Sequence, residues 1–156
     1  RVDLSGVDLS GVDLTDADLS SANLTRANLS GADLTDVDLM GAKLAGANLR
    51  DVNLTGADLE SASLIGANLA GANLTGANLS KAELDHANLS RANLKREKLC
   101  KSDLKNANLE HAYLRDADLT NANLINAKLM YTNLINANLA NAKLTDANFT
   151  DACGNL

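Results

Sequence analysis

Apolar and polar positions follow one another along this chain with a period of five residues. A leucine stands at every fifth position from Leu4 to Leu144, and Phe149 takes the next place. Ala or Val usually stands two positions before the leucine, Asp or Asn directly before it, and often Ser or Thr directly after it. A period of five matches neither the 3.6 residues of a helix turn nor the two-residue alternation of a flat strand. It therefore predicts a repeat architecture.

The repeat unit predicts its own geometry. In an extended segment, residues two apart point to the same side, so each unit turns its Ala or Val and its Leu inward and its Asp or Asn outward. Four such units at right angles close a square coil of twenty residues, and the next coil stacks on it at about 4.8 Å. The pattern predicts an all-β fold, a quadrilateral parallel β-helix (β-solenoid) of about seven and a half coils. We expect residues 1–156 to form a single domain.

Glycine marks the predicted corners of the coils. Nine glycines stand two positions after a leucine, and the last of these is Gly76. This is the third residue of a four-residue turn, where a type II turn requires a positive φ. Beyond Gly76 the same position holds residues with side chains, so we expect the corners to change there to a different turn type.

Charge is distributed unevenly along the predicted rod. Residues 1–80 carry 4 basic and 11 acidic residues, whereas residues 81–115 carry 8 basic and 5 acidic ones. Since residues twenty apart should stack, Asp18, Asp38 and Asp58 form an acidic column. This column is a candidate partner-binding surface or, alternatively, a solvated face.

The basic stretch coincides with a break in the repeat. Glu97 and then Ser102 occupy the inward position that Ala or Val fills elsewhere. An unpaired buried carboxylate would cost several kcal/mol, so we expect Glu97 to turn outward through a bulge or to pair with a neighbouring cation. The stretch is either a structural irregularity or a basic patch for an acidic partner. Its candidate partner-binding residues are Lys95, Arg96, Lys98, Lys101 and Lys105.

Two further groups of residues have side chains that are predicted to point outward. Ile125, Met130, Tyr131 and Ile135 are apolar residues at outward positions, which indicates an interface or isolated exposure. A column of stacked asparagines predicts a structural hydrogen-bond ladder along the rod axis. That column consists of Asn28, Asn48, Asn68, Asn88 and Asn108.

No arrangement of residues in the sequence is typical of catalysis. His86 and His111 fall on different coils, and neither has Cys or carboxylate neighbours at metal-ligand spacing. The glycines punctuate corners and do not open a helix as a phosphate-binding loop does. A filled, convex rod also leaves no pocket. We therefore expect no enzyme activity, no cofactor and no bound metal.

The repeated motif, seen for example in GANLAGANLTGANLS, resembles the A(D/N)LxG pattern of the pentapeptide repeat proteins over the whole chain. The closed core, the missing pocket and the uneven exterior favour a non-catalytic scaffold that binds another protein along its flat faces. The resemblance itself implies a right-handed parallel β-helix and much less about activity. It also suggests an alternative. Some family members that protect DNA gyrase from quinolones are acidic rods that resemble duplex DNA. The acidic N-terminal half of this chain is similar, whereas its uninterrupted coils and basic middle differ.

The remaining expectations concern partners and location. We expect a protein partner and, because the net charge is −6, no direct binding of nucleic acid. The rod should be a monomer or associate weakly end to end. No apolar run is long enough to cross a membrane, and no charged-then-apolar leader opens the chain. We therefore expect no membrane association and take a cytoplasmic location as the default.

Overall fold

The computed structural model describes residues 2–154, and these residues contain no helix. Every β element is a single bridged residue, the one directly before a leucine or its equivalent. Parallel bridges join each such residue to the one twenty positions on, from Asp3 paired with Asn23 to Asn133 paired with Cys153. The chain is a right-handed quadrilateral parallel β-helix with twenty residues in each coil, as predicted.

The bridged residues form four columns, which define four faces numbered in chain order. Face 1 runs from Asp3 to Lys143, face 2 from Asp8 to Asn148, face 3 from Asp13 to Cys153, and face 4 from Asp18 to Asn138. Hydrogen bonds between coils lie on both sides of each bridge. For example, the Leu24 N–H donates to the Lys43 carbonyl at 2.7 Å. Each face is therefore a regular, flat ladder one bridge wide.

The core is a stack of similar layers. The leucines from Leu24 to Leu134 are at most 1% exposed, and Ala or Val side chains fill the space beside them. Glu97, Ser102 and Thr132 replace Ala or Val at three inward positions and are buried as well. The end coils are more exposed, because no neighbouring coil among the described residues covers them. Val2 is 54% exposed at one end, and Leu144 is 38% exposed at the other.

All corners share one conformation. The residue two after each leucine has a positive φ, 64° to 71° at the glycines and 54° to 62° at the other residues. The prediction that the corners change beyond Gly76 is wrong, since Lys81 and Tyr131 keep φ values of 62° and 59°. The left-handed conformation costs a non-glycine residue about 1–2 kcal/mol. Hydrogen bonds to the next coil, such as Lys81 N–H to the Cys100 carbonyl at 3.0 Å, hold the corner in this shape.

The Asp or Asn before each leucine caps the corner that follows. Asp13 Oδ1 accepts the backbone N–H of Thr15 at 3.0 Å and its hydroxyl at 2.7 Å. Similar caps recur along the rod, such as Asn73 with Thr75. This is an Asx turn, in which a short polar side chain satisfies a nearby backbone donor. The Asx turn explains why the repeat prefers Asp or Asn before each leucine and Ser or Thr after it. The outward orientation of these side chains does not by itself explain that preference.

The expectation that Glu97 turns outward or pairs with a cation is wrong. It is 1% exposed, and neither carboxyl oxygen has a hydrogen-bond partner among the described residues. The bridge between Asn78 and Lys98 persists, although the Lys98 N–H lies 3.5 Å from the Ala77 carbonyl, a hydrogen bond that is 2.9 Å long at Asn78. Burial raises the pKa of Glu97 to about 9, against the smaller opposing effects of the nearby backbone N–H groups and of the Lys98 charge. The ladder keeps its register, and the carboxyl stays protonated at neutral pH.

Candidate functional site

Face 4 brings together the acidic column and part of the basic stretch. Its bridges run from Asp18 through Asp38 and Asp58, continue to Asn78, and reach Lys98. Asp58 and Lys98 therefore lie two coils apart in a single column, at about 10 Å for a coil spacing of about 4.8 Å. The sequence interpretation treated the acidic and basic groups as separate candidates, whereas the fold places them on one surface.

Six carboxylates occupy face 4 and its edges over three consecutive coils, with no basic residue among them. Asp18 illustrates how such crowding is tolerated. Its Oδ1 accepts the Ser20 backbone N–H at 3.0 Å and the Ser20 hydroxyl at 2.6 Å, and these bonds lower its pKa. The carboxylate is therefore held in its charged form. We call the six residues the acidic block: Asp16, Asp18, Asp36, Asp38, Asp58 and Glu60.

Four cations follow directly on the same face. We call them the basic block: Lys81, Arg96, Lys98 and Lys101. Lys81 Nζ lies 2.6 Å from Glu60 Oε1, and this ion pair lowers the pKa of Glu60 and raises that of Lys81. The other three form no ion pair within residues 2–154. Because Glu97 is buried and protonated, it does not reduce the positive charge of this block, and the next carboxylates on the face, Asp116 and Asp118, follow one coil further on. We call face 4 with its two blocks the bipolar face.

Two of the five basic candidates lie elsewhere. Lys95 borders a shallow cleft of about 380 Å³ on face 3, beside the exposed ring of Tyr113 and next to Arg115. Lys105 follows face 1, where Asp103 caps its backbone N–H at 3.1 Å. The structure therefore groups Arg96, Lys98 and Lys101 with Asp18, Asp38 and Asp58, and separates Lys95 and Lys105 from them.

A second shallow cleft, of about 510 Å³, runs along the corner between faces 2 and 3. Gly71 leaves room there for the Asp51 carboxylate, and His111 borders the cleft with its ring stacked on Tyr131 at 4.9 Å between centroids. The surface therefore carries two shallow clefts, whereas the sequence analysis predicted a convex rod without a pocket.

The apolar outward residues near the C-terminus do not form one patch. Ile125, Met130 and Ile135 each lie one position after a leucine, on three successive corners of one coil. Tyr131 lies beside Met130 on the second of these corners. Because they point away from different edges of the rod, we find no shared apolar surface among them.

The polar columns on faces 2 and 3 are structural. On face 2 the Asn48 side-chain amide donates to Asn28 Oδ1 at 2.9 Å, which confirms part of the predicted ladder. Face 3 carries a longer ladder, in which Asn53, Asn73 and Asn93 each donate to the coil before at 3.1 to 3.4 Å. Their amides are used within the rod, so these columns are weaker candidates for binding than the bipolar face.

The remaining reactive side chains do not form a chemical centre within residues 2–154. No three of the His, Cys, Asp and Glu side chains in this range are placed to hold a metal ion together. Cys100 Sγ contacts Ser80 Oγ at 3.1 Å, and Cys153 is a free, exposed thiol. The same range contains no helix that could span a bilayer.

Comparison with known families supports one assignment. The sequence model of the pentapeptide repeats matches in eight copies, over residues 3–41, 32–69, 57–96, 102–135 and 126–153. The copies leave out the residues around Glu97, where the repeat breaks. Comparison with curated proteins gives no match.

Several solved structures are similar to this chain, among them the following two. HetL, a pentapeptide repeat protein involved in heterocyst differentiation regulation in the cyanobacterium Nostoc sp. strain PCC 7120, is 32% identical over 97% of this chain and 88% of its own, with a TM-score of 0.46. A trypsin-treated form of QnrB1, a plasmid-mediated fluoroquinolone resistance protein, is 21% identical over 98% of this chain and 77% of its own. Its TM-score of 0.75 indicates the same fold.

Proposed function

The chain belongs to the pentapeptide repeat family, and we propose that it is a non-catalytic scaffold, a single domain that binds another protein along a flat face. Leucine and alanine layers fill the interior, so a partner gains its binding energy from the outer surfaces. The bipolar face is the surface that supports the proposal. It displays two blocks of opposite charge on a rigid ladder, and three of its cations have no ion-pair partner among residues 2–154.

Separated charge blocks suit protein recognition. Complementary charges across an interface increase the association rate and exclude wrong partners. The two blocks also define a direction along the rod, so a partner with the matching order of charges binds in one orientation only. A uniformly acidic surface would lack this property.

Affinity purification from the source organism tests the proposal with two charge-reversed variants of the bipolar face. One carries Arg96→Asp and Lys98→Asp, and the other carries Asp36→Arg and Asp38→Lys. The repeat tolerates these residues at the same positions elsewhere, as Asp116, Asp118, Arg26 and Lys43 show.

The matched control reverses two exposed lysines of face 1, Lys43→Asp and Lys143→Asp. Proteins retained by the wild type and the control but lost from both face-4 variants would support the proposal. If every retained protein survives both face-4 reversals, the bipolar face is not the binding surface.

A second candidate is a DNA-mimicking rod that binds a topoisomerase such as DNA gyrase. The acidic block favours it, because its carboxylates repeat at about 4.8 Å on a rigid rod. The fold is also that of QnrB1, a fluoroquinolone resistance protein. A gyrase supercoiling assay, run with and without a fluoroquinolone, tests this candidate.

The matched variant for that assay carries Asp36→Asn, Asp38→Asn and Asp58→Asn. It removes charge but keeps the corner caps, since Asn caps the same turn elsewhere. An effect on gyrase that this variant loses would support the candidate. No effect of the wild-type protein on supercoiling would exclude gyrase.

A further inference from the structure

The two blocks of the bipolar face are complementary to each other when one copy is turned end over end. Asp36 and Arg96 both stand at the edge between faces 3 and 4, sixty residues or three coils apart. Asp38 and Lys98 stand in the central column, also three coils apart. Within one rod that separation is about 14 Å, so neither pair can form internally.

We infer that the bipolar face binds a second copy of this chain, with the two rods side by side and antiparallel. The inference rests on the proposed function, since it names the partner of the same surface. A twofold axis between the coils of Asp58 and Asn78, lying in the plane of the interface, relates the two copies. Such an axis makes the interface isologous, so every contact occurs twice.

One register satisfies three sets of charges. It places Asp36 opposite the partner's Arg96, and Asp38 opposite the partner's Lys98. It also places the Glu60–Lys81 ion pair beside the same pair of the partner, so that four alternating charges meet near the axis. A parallel arrangement with equal coils side by side would oppose like charges throughout and is repulsive.

The same register accounts for a weak association. At each outer end of the overlap it opposes Asp18 to the partner's Asp118, and Asp16 to the partner's Asp116, and both contacts are unfavourable. The charged side chains stay close to solvent, where exposed ion pairs contribute little individually and salt screens them. Association therefore depends on ionic strength. It is lateral, in contrast to the end-to-end contact expected from the sequence.

Sedimentation velocity on the purified chain tests the inference. We expect a concentration-dependent dimer at about 20 mM salt, and association at least about tenfold weaker at about 500 mM, where the screening length falls to a few Å. The two charge-reversed variants described above, of the basic block and of the acidic block, should each be monomeric, because like charges then oppose each other between positions 36 and 96 and between positions 38 and 98 of the two copies.

Mixing the two variants gives the decisive comparison. An equimolar mixture should form a heterodimer, because each supplies the charge that the other lacks. The protein with all four substitutions should regain self-association, which also shows that the substituted chains fold. The face-1 control, Lys43→Asp and Lys143→Asp, should dimerise like the wild type.

A zero-length carbodiimide crosslink between Lys98 and Asp38, formed between isotopically light and heavy copies, would confirm the antiparallel register. A wild-type chain that stays monomeric at low salt overturns the inference, and so does a dimer that persists in both single-block variants. Neither result removes the proposed function, which survives if the affinity purification still retains a different protein through this face.

Discussion

Neutralising Glu97 should stabilise the protein and remove a part of its pH dependence. The carboxyl is buried without a hydrogen-bond partner, and burial raises its pKa to about 9 from an ordinary value of 4.5. The folded state therefore holds the proton more tightly than the unfolded state does. Stability from this group is fully present below pH 4.5 and is lost as the pH rises through 9.

The magnitude follows from the two pKa values. Each pH unit between 4.5 and 9 lowers the free energy of unfolding by about 1.4 kcal/mol. At pH 7 the loss is about 3 kcal/mol relative to acid pH, and it approaches about 6 kcal/mol above pH 9. For a protein of ordinary stability, about 5–15 kcal/mol, this is a large fraction.

Glu97→Gln keeps the shape of the side chain and cannot ionise. It should therefore match the wild type near pH 4 and exceed it by about 3 kcal/mol at pH 7. Glu97→Ala should be within about 1 kcal/mol of Gln, because losing two buried methylenes, about 0.8 kcal/mol each, offsets the removal of an unpaired polar group costing about 1–3 kcal/mol.

Denaturant unfolding followed by circular dichroism, at several values between pH 5 and pH 9, measures these differences. Glu83→Gln, at an exposed position on face 1, is the matched control and should track the wild type. A constant difference between Glu97→Gln and the wild type over this range would refute the reasoning. It would mean that the carboxyl is solvated or paired in the folded protein.

Two further predictions concern packing and cooperativity. Leu74→Ala should destabilise the protein by about 2–5 kcal/mol in denaturant unfolding, because Leu74 is fully buried. Asn73→Ala should cost only about 1 kcal/mol, for the loss of its turn cap and its hydrogen bond to the coil before. Equal losses would mean that the inward and outward assignments are wrong. Amide hydrogen exchange should be fastest in residues 2–18 and 137–154, where coils are covered on one side only, and slowest near Leu74. Uniform protection of the amides along the rod would contradict this prediction.

The five-residue period was sufficient to predict the coil length, the inward leucines and the outward columns. Each unit makes the same local choice, and its neighbours twenty residues away repeat it, so local and long-range preferences agree. The grouping of acidic and basic residues on face 4 could also have been predicted from the sequence. Asp58 and Lys98 differ by forty residues, which is two coils.

The corners and Glu97 could not be predicted in the same way. Residue preferences argue against a positive φ at Tyr131 and against a buried carboxyl at Glu97. At both residues the hydrogen bonds between coils fix the backbone conformation. The side chain must then adopt a conformation or a protonation state that its residue type disfavours. Tyr131 adopts the left-handed conformation, and Glu97 takes up a proton. A cost of a few kcal/mol at one residue is smaller than the cost of breaking the coil register.

Crosslinking in intact cells with a lysine-reactive reagent tests most directly the claim that the bipolar face is the binding surface. The chain carries its own controls, because Lys43, Lys128 and Lys143 are exposed like Lys98 and Lys101 but lie on faces 1 and 2. If the bipolar face binds the partner, crosslinks to other protein molecules should concentrate at Lys98 and Lys101. Crosslinks spread evenly over all five lysines, or concentrated at Lys43, Lys128 and Lys143, would contradict it.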